Sequence, residues 1–142
     1  MFKQKLLITI ILSLFITLTH AKEYEDSCVK ETKKLPEFEY IIDVRTKEEF
    51  KFGHPKGAIN IPYEFDKNGE RVLNKNFVAE VNRLTDEGYD KEIVLICRIG
   101  LRSVKAAILL ADEGYEKLTN IQQGFVNGWK KAGLPVENPR QK

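Results

Sequence analysis

The 142-residue chain holds only two cysteines, two histidines, one tryptophan and one methionine. Two cysteines, Cys28 and Cys97, are too few for the disulfide framework of a stapled mini-protein. With His54 as the only histidine beyond residue 21, a His/Cys metal site is also excluded. An excess of one charge is absent: 23 Lys and Arg stand against 21 Asp and Glu. No basic stripe interleaved with aromatics is present, so nucleic acid is not an expected partner. Glycine and proline are sparse, at 9 and 5, and there is no repeat or low-complexity tract. What remains is one domain's length of ordinary composition, long enough to bury a core without staples.

The one long hydrophobic run is Leu6 to Leu18, preceded by Lys3 and Lys5. Thr19-His20-Ala21 places small residues three before and one before a cleavage point, and the charged stretch from Lys22 follows. This is the three-part pattern of a secretory signal. The alternative, an uncleaved anchor, is disfavoured because the run is about 13 residues and a helical span needs roughly 20. Removing residues 1–21 leaves 21 basic and 21 acidic residues. The expected organisation is a signal peptide over 1–21, an arm with a short helix across Ser27–Leu35 within 22–37, a domain over 38–137, and a tail over 138–142. The expected compartment is the periplasm, with no stable membrane insertion after cleavage. No cysteine follows the cleavage point, so lipidation there is not expected.

Beyond the arm, strand and helix patterns alternate. Tyr40–Val44 is a short apolar run, as in a strand covered on both faces. Thr46 with Glu49 three residues on forms a capping box, opening a helix to about Phe52 that Gly53 ends. Ala58–Ile61 reads as a second strand stopped by Pro62, and Asp66 to Gly69 as a turn. Residues 76–87 carry Phe77, Val78, Val81 and Leu84 on one helical face, with Gly88 as the stop. Ile93–Ile96 is the strongest buried strand. Ser103–Glu113 reads as a helix with Val104, Ala107, Ile108 and Ala111 inward and Gly114 behind it. Leu118–Ile121 is another strand, and Gly124–Lys131 a last short helix in which Trp129 is core. Alternation of this kind predicts an α/β fold with a parallel central sheet. Ligands in such folds bind beyond the carboxyl ends of the strands.

Cys97 stands where such a strand ends, and a helix begins about six residues later. Between them lie Arg98, Ile99, Gly100, Leu101, Arg102 and Ser103. A loop wrapping toward a helix N-terminus turns backbone N–H groups inward, and the helix dipole adds positive charge. Arg98 and Arg102 add two full charges. Donors and cations converging on a sulfur stabilise the thiolate, which is the nucleophilic form. The same donors suit a persulfide or a bound anion such as thiosulfate. Two arginines beside a merely structural thiol would be costly unless they serve an anion or pair with acids. Asp43 and Arg45, at the end of the first strand, are expected to support this mouth: Asp43 by accepting from Arg102 or the loop amides, Arg45 by pairing with a carboxylate such as Glu49. A lone His54 beside glycine and proline reads as structural. Cys28 is either an incidental cysteine or a partner that protects, regulates or relieves Cys97.

These residues carry a family resemblance. CRIGLRS resembles the active-site loop of rhodanese-like domains, IIDVRTKEEFKFGHPKGAINIP their N-terminal signature, and GFVNGWKKAGLP their C-terminal one. The three blocks stand in the family's order over about residues 38–135. The resemblance implies a rhodanese-like α/β fold, with helices on both faces of the parallel sheet. It implies double displacement, in which Cys97 takes a sulfane sulfur from a donor and yields it to an acceptor, with no cofactor. The donor would be a small sulfur-containing anion and the acceptor a thiol, cyanide or a protein. Cys97 to Arg102 is C-x4-R, one residue shorter than the C-x5-R loop of the related phosphatases. That favours sulfur over phosphatase or arsenate chemistry. The apolar Ile99 and Leu101 depart from many relatives and leave the acceptor open. Two further alternatives stay open: a persulfide carrier with little turnover, and an interaction protein locked by a Cys28–Cys97 disulfide.

Overall fold

The computed structural model describes residues 25–27 and 38–138. The expected signal segment, Cys28, the rest of the short helix expected after Ser27, and residues 139–142 lie outside the described residues. Ser27 itself belongs to a strand, β1 (Glu25–Ser27). The other strands are β2 (Tyr40–Asp43), β3 (His54–Pro55), β4 (Ile59–Asn60), β5 (Glu64–Lys67), β6 (Glu70–Leu73), β7 (Glu92–Ile96), β8 (Lys117–Ile121) and β9 (Val136–Glu137). The α-helices are α1 (Lys47–Lys51), α2 (Phe77–Thr85) and α3 (Leu101–Glu113). A π-helical segment covers Gly124–Lys130.

Five strands form one parallel sheet in the order β1-β8-β7-β2-β4. The centre is β7, whose Ile93, Val94, Leu95 and Ile96 are all at most 1% exposed, so both faces of the strand are covered. Ile93 and Leu95 pack with Phe77 and Val81 of α2 and with Ala106, Ala107 and Leu110 of α3. Val94 and Ile96 pack on the opposite face with Ile121, Phe125 and Trp129. Two covered faces explain why this strand reads as an unbroken apolar run instead of alternating. From β2 the chain moves to β4 on one side; it returns to β7 on the other side and continues to β8. The carboxyl ends of β2 and β7 therefore flank a topological switch point, where an open α/β sheet leaves a crevice.

Local sequence rules account for most elements. Thr46 caps α1 as expected: its side chain accepts from the Glu49 amide, and Glu49 accepts from the Thr46 amide. The turn after Asp66 closes a hairpin, β5 on β6, through Asn68 and Gly69 at φ +55° and +85°. Positive φ at both positions is the two-residue turn that matches strand twist, and Asn-Gly is its usual sequence. His54 is buried, stacked 3.6 Å from Phe50, with Nδ1 3.0 Å from the Phe50 carbonyl. Trp129 is buried, and its Nε1 donates to the Pro135 carbonyl at 2.8 Å.

Four details differ from the sequence pattern. The second strand shrinks to Ile59–Asn60: the Ala58 amide closes a turn on the Pro55 carbonyl, and the Asn60 side chain bonds the Asp43 and Arg45 carbonyls at the end of β2. Helix α2 ends in left-handed Asp86, with Glu87 also at positive φ, not at Gly88. The short helix expected from Gly124 is π-helical. The inward face of α3 is Ser103, Ala106, Ala107, Leu110 and Ala111, while Ile108 is 45% exposed. Small alanines let this helix lie close on the sheet, and Ser103 sets its phase by facing the end of β7. Replacing Leu110 with Ala should accordingly cost about 2–5 kcal/mol. Ile108→Ala should stay within about 0.5 kcal/mol. Urea unfolding midpoints of the two variants check this, and equal losses would contradict the observed face.

Candidate active site

Cys97 follows directly on β7 and is 1% exposed, with a free thiol. Its Sγ accepts from the Gly100 amide at 3.1 Å and lies 3.3 Å from the Ser103 hydroxyl. That hydroxyl is also 3.1 Å from the Gly100 carbonyl, so its single proton serves one acceptor at a time. Gly100 is the N-cap of α3, at φ +96°, and has no side chain to cap the helix. The first-turn amides of a helix have no intrahelical acceptor. With no capping side chain, they are left for whatever sits beside the sulfur, and the helix dipole favours negative charge there.

The loop is held from behind by the segment after β8. The Phe125 amide donates to the Cys97 carbonyl at 2.7 Å, and the Val126 amide to the Arg98 carbonyl at 3.2 Å. A Cβ on Gly124, itself at φ +64°, would stand 2.5 Å from the Arg98 carbonyl; one on Gly100 would overlap the Gln122 carbonyl. Both positions thus require glycine twice over, for conformation and for space.

In front of the sulfur lies a cleft of about 330 Å³, lined by Glu49, Glu64, Arg71, Cys97, Arg98, Ile99, Leu101, Arg102 and Lys105. Four cations face two carboxylates there, so the cleft favours anions. The rim is apolar as the sequence suggests: Ile99 is 48% and Leu101 65% exposed.

The ion pairs differ from those expected of the sequence. Asp43 does not meet Arg102, and Arg45 does not meet Glu49. Asp43 and Arg45 pair with each other, buried, with Nε to Oδ1 at 2.9 Å and Nη2 to Oδ2 at 2.6 Å. Arg45 also donates to the Gly53 carbonyl and stacks 4.3 Å over Phe125. This pair braces the end of β2 behind the loop and does not line the cleft. Arg102 instead makes a bidentate pair with Glu49, at 2.7 and 2.8 Å. The fork of a guanidinium matches a carboxylate, and the capping box has already oriented Glu49. Partial burial pushes the Glu49 carboxyl up. Arg102, the Thr46 amide and Arg71 outweigh it and hold the group at about 2. Burial also opposes the charge on Arg102, but Glu49 more than compensates and raises it above its ordinary value.

Glu64, Arg71 and Lys105 are cleft residues that the motifs do not contain. The first two arrive on the β5–β6 hairpin, whose Asn-Gly turn is its sequence signal. Among the described residues, no cluster of three or more His, Cys, Asp and Glu is placed to hold a metal ion.

Because the folded Glu49 titrates below its ordinary 4.5, its pairing adds stability that is full above about pH 4.5 and fades as the pH falls toward 2. The stability difference between the wild type and Glu49→Gln should shrink across that window in urea melts, and a constant difference would contradict the pairing. Gly100→Ala should destabilise the protein by at least about 1 kcal/mol in the same assay, since its φ and space both forbid a side chain.

Known proteins bear on this geometry. A model of the rhodanese-like domain matches residues 21–132. The chain is 32% identical over 126 residues to thiosulfate sulfurtransferase 18 of Arabidopsis thaliana, covering 87% of this chain and 90% of that protein. It is 30% identical over 97 residues to thiosulfate sulfurtransferase GlpE of Haemophilus influenzae, covering 68% and 78%. With the mitochondrial protein HIGH ARSENIC CONTENT 1 of Arabidopsis thaliana it shares 35% identity over 98 residues, or 69% of this chain and 56% of that one. The chain spans about half the length of that protein and of the senescence-associated protein DIN1 of Raphanus sativus. In fold it resembles Rv0390 of M. tuberculosis, with a TM-score of 0.65 at 21% identity over 81% of this chain and 98% of that one. By the family model, and by a relative matched over nearly its whole length, the chain belongs to the rhodanese-like domain family.

Proposed function

We propose that this protein is a sulfurtransferase that carries sulfane sulfur as a persulfide on Cys97. The observation that carries the proposal is the sulfur's position at the floor of a cationic cleft, with the Gly100 amide at 3.1 Å and the Ser103 hydroxyl at 3.3 Å. In the first step the Cys97 thiolate attacks the outer sulfur of thiosulfate. The new S–S bond forms as the old one breaks, and sulfite leaves with the bonding pair. In the second step an acceptor nucleophile takes the outer sulfur and returns the thiolate. With cyanide the product is thiocyanate.

The loop residues divide the work. Gly100 and Ser103 donate to the sulfur, and the uncapped first turn of α3 stabilises the negative persulfide. Arg98 supplies charge at the mouth. Arg102, clamped by Glu49, fixes the loop against α1 and contributes field from there. Ile99 and Leu101 flank the opening. Asp43 and Arg45 brace the site from behind.

The exposed Ile99 and Leu101 favour a second reading, in which the persulfide passes to a protein acceptor and turnover on small acceptors is slow. The N-terminal pattern supports action as an exported, periplasmic protein after removal of residues 1–21.

The test is thiosulfate-dependent thiocyanate formation by the reduced protein, with intact-mass detection of an adduct of about 32 Da, one sulfur. The expected result is an adduct on Cys97 with turnover, and loss of both in Cys97→Ala. An adduct without turnover favours the protein acceptor. Full activity in Cys97→Ala would refute the assignment.

A further inference from the structure

The β5–β6 hairpin stands outside the three sequence blocks that carry the family resemblance, yet it supplies two charged side chains to the cleft. We infer that this hairpin is a specificity wall and that its Arg71 binds the charged end of an anionic sulfur donor. The inference rests on the sulfurtransferase proposal and names the residue that selects a small divalent oxyanion such as thiosulfate.

Register puts the relevant residues on one face. Glu64 pairs with Leu73 and Asp66 with Arg71, while Phe65 pairs with Val72 between them. Side chains alternate along each strand, so Glu64, Asp66, Arg71 and Leu73 share a face. Glu64 and Arg71 line the cleft in front of Cys97, which identifies that face as the one turned to the site. The hairpin's base is fixed. Buried Asn74 donates to the Tyr63 carbonyl from its amide and to the Pro62 carbonyl from its side chain, at 2.9 and 2.8 Å. The Tyr63 amide in turn donates to the Val44 carbonyl at 3.0 Å, tying the base to the end of β2.

The two arginines near Glu49 are not equivalent. Arg102 uses both terminal nitrogens on that carboxylate, at 2.7 and 2.8 Å, with its side chain 16% exposed. Arg71 approaches the same carboxylate only to 3.7 Å, outside hydrogen-bond range, with its side chain 45% exposed. Arg102 is committed to holding the loop, whereas Arg71 can turn to a ligand at little cost. Arg98 and Lys105 line the cleft from the loop and α3. A dianion with its reactive sulfur at Cys97 would therefore have cations on two walls, Arg71 on one and Arg98 with Lys105 on the other. Glu64 shares the wall with Arg71. Of that face, Glu64 and Arg71 line the cleft and Asp66 does not, so removing Arg71 leaves the hairpin's part of the lining negative, and neutralising Glu64 leaves it positive.

The test compares two alkylating agents of similar size, anionic iodoacetate and neutral iodoacetamide, with rates at Cys97 read by peptide mass spectrometry on the full chain. Their ratio reports the cleft's preference for anions and does not depend on sulfur transfer. Arg71→Ala should lower the iodoacetate-to-iodoacetamide ratio about three- to tenfold, Glu64→Gln should raise it, and both effects should weaken at high salt. Arg83→Ala, on the outer surface of α2, controls for net charge and should leave the ratio unchanged. In turnover, Arg71→Ala should raise KM for thiosulfate by a similar factor with kcat within about twofold. A ratio that falls no further in Arg71→Ala than in Arg83→Ala would overturn the inference. If the ratios behave as expected but thiosulfate leaves no sulfur on the wild type, the anion site stands and the sulfurtransferase proposal falls.

Discussion

The site depends on one close backbone approach. The loop from Cys97 to Gly100 lies against the chain from Gln122 to Phe125 so tightly that neither Gly100 nor Gly124 has room for a Cβ. The Phe125 amide closes the contact by donating to the Cys97 carbonyl at 2.7 Å. This contact fixes the strand end, aims the Gly100 amide at the sulfur and starts α3 without a capping side chain. Positive φ at both glycines lets the two chain segments turn where they touch. The second and third sequence blocks in chain order, separated by most of α3 and by β8, are thus the two sides of one interface.

Charge is arranged around that contact in two separate layers. Behind the loop, the buried Asp43–Arg45 pair joins the end of β2 to Gly53 and Phe125. A buried pair of this kind is weak evidence for net stability, and its clearer role here is to fix geometry. In front, Glu49 reaches from α1 to take the fork of Arg102. One carboxylate per arginine leaves Arg98, Lys105 and the loosely held Arg71 to give the cleft its positive character. The neighbourhood of Cys97 is therefore a hydrogen-bonded nest set in a cleft of net positive charge: the nest turns donors toward the sulfur, and the cleft favours anions.

Much of this is legible in the amino-acid sequence. The unbroken apolar run of β7, the Thr46–Glu49 box and the Cys97–Ser103 loop each carry a local rule that the fold obeys. The pairings of Asp43, Arg45, Glu49 and Arg102 are not legible, because all four lie near the carboxyl-end edge of the sheet and sequence spacing cannot say which fork meets which carboxylate, nor that one pair sits behind the loop and the other in the cleft. Periodicity misplaces Ile108 because a helix rich in alanine and leucine offers two nearly equal apolar faces; the contact between Ser103 and Cys97 chooses between them. The hairpin reads only as a turn, since Asn68-Gly69 marks the reversal but the charged strands beside it have little apolar alternation. Arg71 and Glu64 enter the cleft with it. Cys28 and the expected export segment lie outside the described residues.

If the loop between β7 and α3 is a sulfur-holding nest, a crystal structure of the protein after exposure to thiosulfate will show it most directly. The expected result is density for one added sulfur on Cys97 Sγ, within hydrogen-bond reach of the Gly100 amide and the first-turn amides of α3. A bare Sγ in crystals of protein whose mass shows the added sulfur, with that sulfur found elsewhere, would contradict it.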